Sequence, residues 1–259
     1  MRRGKKVLII VLVVVLIGLS LVAAGLFLFN KEQEEIARKE EEEIINAEEN
    51  FKNQFLNLEY TKNENDAITL SYNVEKDEEG KYQLDANLPV VNIETDVAKA
   101  INGEIINIFG RKLVEIVEES TVYTKYSVDY ISYTNDNIMS LIIKATLKEG
   151  GNAQRLMVQT YNYDLEQNKL LNLKEYIDMK QLDQNIIQTQ IINYVREKSE
   201  AIDTALAEKY NLYIRDIRSE EYLIENIKTY YIGQDGKLYI LFPYGNNNFT
   251  DTVDVVIVK

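Results

Sequence analysis

The chain has 259 residues, a net charge of −13, 18 tyrosines, and neither cysteine nor histidine. Without cysteine there is no disulfide framework and no thiolate chemistry; without histidine there is no Ser-His-Asp or Cys-His catalysis, no imidazole-ligated zinc and no imidazole pH switch. Four of the 29 basic residues precede Val7 and residues 1–29 hold no acid, so residues 30–259 carry a net −17, a balance that repels nucleic acid and favours cations or a basic protein partner.

Residues 1–6 form a basic flank with Arg2, Arg3, Lys5 and Lys6. Val7 to Phe29 follow as 23 residues without a charge. A helix needs roughly 20 residues to cross a hydrocarbon core about 30 Å thick, and the basic side stays in the cytoplasm. Residues 7–29 therefore read as a single transmembrane anchor in the cell membrane. The N-terminus is then cytoplasmic and residues 30–259 extracytoplasmic. Val22-Ala23-Ala24 has the small residues of a signal-peptide cleavage site, which leaves cleavage after Ala24 open, although the apolar part of a signal peptide usually spans about 7–15 residues. An external domain without cysteine fits a bacterial surface protein.

Residues 30–59 read as an acidic helical stalk. The stretch 31–58 lacks Gly and Pro, and Ala37, Ile44, Phe51 and Leu58 recur every seven residues, joined by Phe55. Glu41 and Glu48 stand where a strong coiled coil would have apolar residues, so the stripe predicts a monomeric stalk that docks its last turns rather than a dimer.

Residues 60–259 read as a folded domain, with a possible division into 60–120 and 121–259. The segment AITLSYNVE, a turn over Lys76–Gly80 and KYQLDANLPVVNIE form a hairpin. Pro89 places the second strand at an edge or breaks it. Thr95 caps a helix whose apolar face is Val97, Ile101, Ile105, Ile108, Leu113 and Ile116. Gly103 and Gly110 weaken that helix, and close approach to a sheet is one reason for them. From Val122 the period becomes two, and three extended segments form an antiparallel meander. In the middle one, Met139, Leu141, Ile143, Ala145 and Leu147 face a core, and Ser140, Lys144, Thr146 and Lys148 face water. A helix from about Met179 to Lys198 carries Leu182, Ile186 and Val195, with further helical sequence over roughly 200–210. TYYIG, KLYILFPYG and TVDVVIVK are three closing strands. The expected class is α+β, with antiparallel sheets of hairpins and a meander and with helices packed on one face.

This order of segments resembles the extracytoplasmic domain shared by anti-sigma-V factors, the N-terminal part of some peptidoglycan deacetylases, and bacterial lipoproteins and membrane proteins of unknown function. LPVVNIE followed by AINGEIINIF (100–109), YNYDLEQNKLLNLKEYI (161–177) and YYIGQDGKLYILF (230–242) are similar to that family's motifs. The likeness covers about 60–259 and implies a non-catalytic extracytoplasmic domain. In the anti-sigma-V branch it implies lysozyme, a basic protein, as ligand. Two departures qualify it. Six residues before the anchor leave no cytoplasmic segment to grip a sigma factor, and Phe242-Pro243-Tyr244-Gly245 runs into Asn246-Asn247-Asn248 where the family continues differently.

Asn162, Asp164, Glu166 and Asn168 place four oxygen side chains around one turn, but without the EF-hand's Gly and Glu they read as a turn and not a metal site. Tyr123, Tyr126, Tyr130, Tyr133, Tyr161 and Tyr163 gather in the meander. Of these, Tyr126, Tyr130, Tyr161 and Tyr163, together with Tyr244, are candidates for an exposed aromatic row that binds sugar or protein. The alternative is that they are half-buried strand formers. With 42 acids, carboxylate pairs signal no glycosidase, and no nucleophile elbow, P-loop or dinucleotide fingerprint is present. No catalytic residue, cofactor or nucleic-acid partner is expected. The expected function is a membrane-anchored binding or sensing module of a bacterial envelope, with a lysozyme-like basic protein or cell-wall glycan as ligand. The alternative is a structural or accessory envelope scaffold acting through a membrane partner.

Overall fold

The computed structural model describes residues 67–202, 207, 213–245 and 252–258, together with positions 29, 31, 33 and 35. Positions 1–28, nearly all of the stalk and most of 203–212 lie outside the described residues. Among the described residues no helix is long and apolar enough to cross a membrane. Every element below belongs to the compact unit Asn57–Lys259.

Strand β1 (Ile68–Glu78) pairs antiparallel with β2 (Tyr82–Val91) through a turn at Gly80, whose φ of 75° suits a residue without Cβ. Thr95 then starts helix α1 (Asp96–Ile105), its hydroxyl accepting from the Ala98 N–H at 3.1 Å. A π-turn over Ile106–Gly110 carries α1 into α2 (Arg111–Glu119). The chain returns as β3 (Thr124–Asn135), parallel to β2 over Tyr82–Ala86. The sheet is therefore mixed rather than wholly antiparallel. A helical crossover brings the chain back to the end from which β2 started, which a hairpin cannot do. Strands β4 (Ile138–Glu149), β5 (Arg155–Asp164) and β6 (Lys169–Leu170) continue it as an antiparallel meander, giving the order β1-β2-β3-β4-β5-β6. One sheet takes strands from both sides of residue 120.

Pro89 is accommodated differently from the expectation of an edge. Strand β2 is internal, but its ladder to β3 ends at Ala86, and its ladder to β1 shifts between Leu70 and Tyr72, beside Pro89. The missing N–H falls where both ladders are interrupted. The edges of the sheet are β1 and β6.

The first core lies between this sheet and α1–α2: Ile101, Ile105, Phe109, Leu113 and Ile116 pack on Leu84, Leu88, Met139, Leu141 and Ile143. Asn102 ties the two layers, accepting from the Val91 N–H at 2.8 Å and donating to the Val91 carbonyl at 3.0 Å. Neither helical glycine answers to close approach: a Cβ on Gly103 would meet nothing within 4 Å, and one on Gly110 would make ordinary contacts at 3.6 Å and beyond.

A second layer covers half of the sheet's reverse face. It comprises α3 (Leu173–Met179), α4 (Gln184–Glu200), two short 3-10 turns (Glu220–Tyr222 and Ile224–Asn226) and a second sheet of β7 (Tyr230–Ile232), β8 (Leu238–Pro243) and β9 (Val253–Val258). Its core is Tyr176, Ile177, Ile187, Ile191, Val195, Tyr222, Ile240, Phe242 and Val256 with their neighbours. Helix α3 occupies LKEYIDM and is started by an Asn172–Glu175 capping box. The chain breaks at Gln181, φ 54°, and restarts with Asp183 as N-cap. That cap sets the phase of α4, so Ile187, Ile191 and Val195 are buried while Leu182 and Ile186 face outward. On β4, Met139, Leu141, Ile143, Ala145 and Leu147 face the first core as expected. Ser140 and Ile142 on the reverse face are buried too, and only Lys144, Thr146 and Lys148 are half-buried at the open end.

The two sheets meet through side chains that satisfy the outer edge of β7. The Tyr230 N–H donates to Thr160 at 3.1 Å, the Ile232 N–H to Ser140 at 3.0 Å, and Asn162 donates to the Tyr230 carbonyl at 2.7 Å while accepting from Ser140 at 2.6 Å. A buried strand edge is thereby paired without another strand.

Candidate functional site

The five tyrosines proposed from sequence do not form an exposed row. Tyr126, Tyr161 and Tyr163 are buried in the first core beneath α1–α2, Tyr130 is half-buried against it, and Tyr244 is buried in the second core. The strand alternation that puts Tyr161 and Tyr163 on one face puts that face under the helix. Burial, helped for Tyr161 by Glu104 and for Tyr126 by Glu115, pushes both phenols well above the usual tyrosine range. The oxygen-rich turn is also structural. Asp164 accepts from the Glu166 and Gln167 N–H groups at 2.9 and 2.8 Å, and Asn168 takes φ 54°. Among the described residues no cluster of acidic side chains could hold a metal ion.

Tyr244 belongs to a polar knot that the sequence did not announce. Arg215 and Asp254, 8% and 4% exposed, form a bidentate pair, with Nη2 to Oδ1 at 2.7 Å and Nε bonded to Oδ2. The Tyr244 hydroxyl donates to Asp254 Oδ2 at 3.2 Å and lies 2.9 Å from the Tyr222 hydroxyl. Tyr213 stacks on Tyr244 with ring centres 4.0 Å apart. Burial opposes the charge on Arg215, but its hydrogen bonds to Asp254 and the field of that carboxylate more than offset this, and its pKa rises. With every partner satisfied and the pair sealed from solvent, the knot fixes residues 213–219 to β9. Gly245, beside it, lies against the Leu156 backbone so closely that any Cβ would overlap it.

An open feature among the described residues is a groove of about 570 Å³ on the helix-bearing face, between edge strand β1 and the α1–α2 helix. Tyr72, Val74 and Lys76 form one wall, and Ile106, Gly110, Val114 and Val117 the other, with Leu84, Leu88 and Leu113 beneath. Arg111 and Glu118 stand on the helix side. Tyr72, Ile106, Val114 and Val117 are 44% to 56% exposed, as is Leu70 on the same strand. Apolar side chains this exposed on two adjoining elements make a patch rather than scattered singles. The π-turn falls within the groove, where such turns often mark function. A sequence signal for this existed in the doublets Ile105-Ile106, Ile108-Phe109, Leu113-Val114 and Ile116-Val117. One member of each doublet suffices for the core, so the apolar stripe is wider than one interface needs.

One end of the groove is acidic. The Thr124 N–H donates to the Lys81 carbonyl at 3.0 Å, which brings the β1–β2 turn beside the C-terminus of α2. That end carries Asp77, Glu78 and Glu79 from the turn and Glu118 and Glu119 from the helix. The last turn of α2 has no basic residue to offset the negative pole of the helix. Lys81 pairs with Glu78 at 2.5 Å, and its hydrogen bond holds the Glu78 carboxyl below the usual range.

No protein-family model matches the chain, and no curated protein matches it. Solved structures similar to it include two of one family. One is a DUF3298 family protein from Pseudomonas aeruginosa, 8% identical, covering 74% of this chain and 87% of its own with a TM-score of 0.44. The other is a member of the same family from Bacteroides fragilis, 11% identical, covering 75% of this chain and 92% of its own with a TM-score of 0.41.

Proposed function

We propose that the folded unit is a non-catalytic binding or sensing module, held outside a bacterial membrane by the apolar run Val7–Phe29, and that its ligand is a basic protein of the lysozyme kind. The observation that carries this reading is the acidic end formed by the β1–β2 turn and the C-terminus of α2. The fold gathers there five carboxylates, against Lys76 and Lys81, and an uncompensated helix pole in a segment, 30–259, that is already strongly acidic. Such a field speeds the approach of a basic partner and rejects acidic ones. Cell-wall glycan, the other expected ligand, is less favoured by this geometry, since four of the five tyrosines meant to stack on sugar are buried and Tyr130 is half-buried.

The test is a titration of the full-length chain in nanodiscs with lysozyme and with an acidic protein of similar size. Saturable binding of lysozyme alone, weakening as salt rises, supports the reading. No binding at any salt removes it. Protease added to intact cells tests the placement: digestion of the folded unit supports an external position, and protection until lysis refutes it.

A further inference from the structure

We propose that the outer edge of β1 takes up an extended segment of a protein partner as an added strand, and that this segment alternates basic and apolar side chains. The inference rests on the basic-partner reading for the sign of the charge and deepens it by naming how such a partner is held.

Of the two edges of the six-stranded sheet, β6 has two residues and β1 has eleven, of which only Ile68 is buried. The ladder from β1 to β2 shifts between Leu70 and Tyr72 and is regular from Tyr72 to Glu78. That regular stretch presents an outward row of backbone donors and acceptors to which no other described strand pairs. A segment that pairs with such a row gains main-chain hydrogen bonds, and its alternate side chains supply the specificity.

The two faces of β1 select those side chains. On one face Tyr72 and Val74 border the apolar groove, with Val114 and Val117 of α2 exposed across it. Every second side chain of an added strand lies on that face beside Tyr72 and Val74, which suits apolar groups. Strand alternation puts Asn73, Glu75 and Asp77 on the other face. Glu75 stands directly opposite Asp85 of β2, a like-charge pair that costs stability. Among the described residues Glu75, Asp77 and Asp85 enter no ion pair. Basic side chains on that face of an added strand stand next to Glu75 and Asp77 and offset the repulsion from Asp85. The same acids argue against a second copy as occupant. Pairing Tyr72–Glu78 with itself, antiparallel and in full, sets Glu75 against Glu75. The edge is guarded against its own kind and open to a basic strand.

The experiment is fluorescence anisotropy of a short, capped, labelled peptide of alternating lysine and valine, titrated with the full-length chain in phosphatidylcholine nanodiscs. Empty nanodiscs are the blank, and hydrogen exchange is measured on the same complex. An alternating glutamate–valine peptide controls for charge, and a lysine–valine peptide with a central proline controls for strand pairing. The expected result is saturable binding of the lysine–valine peptide, about tenfold tighter than of either control, with new amide protection in β1. Glu75→Lys is expected to weaken that binding about tenfold. The position is exposed, and the change removes the repulsion from Asp85, so the urea midpoint should be no lower than the parent's. Equal binding of the three peptides, no new protection in β1, or unchanged affinity in Glu75→Lys overturns the proposal. So does a dimer in sedimentation whose β1 is already protected without peptide, since a second copy then holds the edge. Lysozyme binding without peptide uptake removes strand addition alone. Peptide uptake with β1 protection and no lysozyme binding removes the lysozyme reading alone.

Discussion

The two cores of the folded unit are finished in different ways. The first, under α1–α2, is built from aliphatic and aromatic contacts with a few polar ties such as Asn102, and it stops short of the sheet's edge, leaving β1 and one side of the helix uncovered. The second, between α3, α4 and the sheet β7–β8–β9, is closed by buried polar groups: the Arg215–Asp254 pair, the Tyr222–Tyr244 contact and the side chains that pair the edge of β7. An apolar core tolerates an open margin, because an exposed valine loses only its own burial. A layer that buries charge and strand edge has no such tolerance, because an unsatisfied buried group forfeits its full desolvation energy. Function is therefore to be sought at the margin of the first core, and fragility in the second.

The largest expected effect breaks the second layer where it meets the first sheet. Gly245→Ala drives a methyl group into the Leu156 backbone, and the expected loss is more than about 4 kcal/mol, enough to leave little folded protein. Urea unfolding followed by circular dichroism measures it. Next comes Asp254→Asn, which leaves the Arg215 charge buried without its partner; about 3–5 kcal/mol should be lost, read as a lower urea midpoint at unchanged slope.

Alkali sharpens the same contrast. Tyr222 and Tyr194 are pushed up to about 12, in both cases first by burial, with Asp254 adding to the effect on Tyr194. Unfolded phenols titrate near 10. The folded state thus holds its proton longer, the contribution is complete below pH 10, and it is lost between about pH 10 and 12 at about 1.4 kcal/mol per pH unit for each tyrosine. Tyr213, Tyr230, Tyr231 and Tyr244 are shifted upward as well. The second layer should open first, with tyrosinate absorbance rising together with loss of hydrogen-exchange protection in β8 and β9. Loss of protection beginning in β3 and β4 would contradict the comparison.

The smallest effects belong to the margin of the first core. Gly103→Ala fills open space in α1 and should raise stability by up to about 1 kcal/mol in thermal unfolding. Val114→Asp, on the groove, should stay within about 0.5 kcal/mol of the parent.

Much of the fold was legible because local rules fix it. Thr95 needed only the Ala98 N–H to act as a cap, and the β3–β4–β5 alternation needed only the turns at Asn135–Asn137 and Glu149–Asn152. The helix break at Gln181 was not legible, because it depends on a left-handed residue that is not glycine. Asn102 and Asn162 tie layers, and the Asp235-Gly236 turn joins β7 to β8.

The candidate site was less legible. Tyrosine spacing shows which rings share a face, but whether that face meets water depends on where the crossover helix lies, and it lies over Tyr126, Tyr161 and Tyr163. The apolar doublets of the helix signalled surplus hydrophobic width without saying which half would be left over. By itself the sequence determined the first hairpin, the capped helix after it, the three-strand meander and the three closing strands, the absence of thiol and imidazole chemistry, and the acidity of the domain, since these follow from composition and from contacts a few residues apart. Only the tertiary structure decided that β2 and β3 run parallel, that Arg215 meets Asp254, and that the surplus apolar width becomes a groove, because each joins residues whose distance along the chain carries no local pattern.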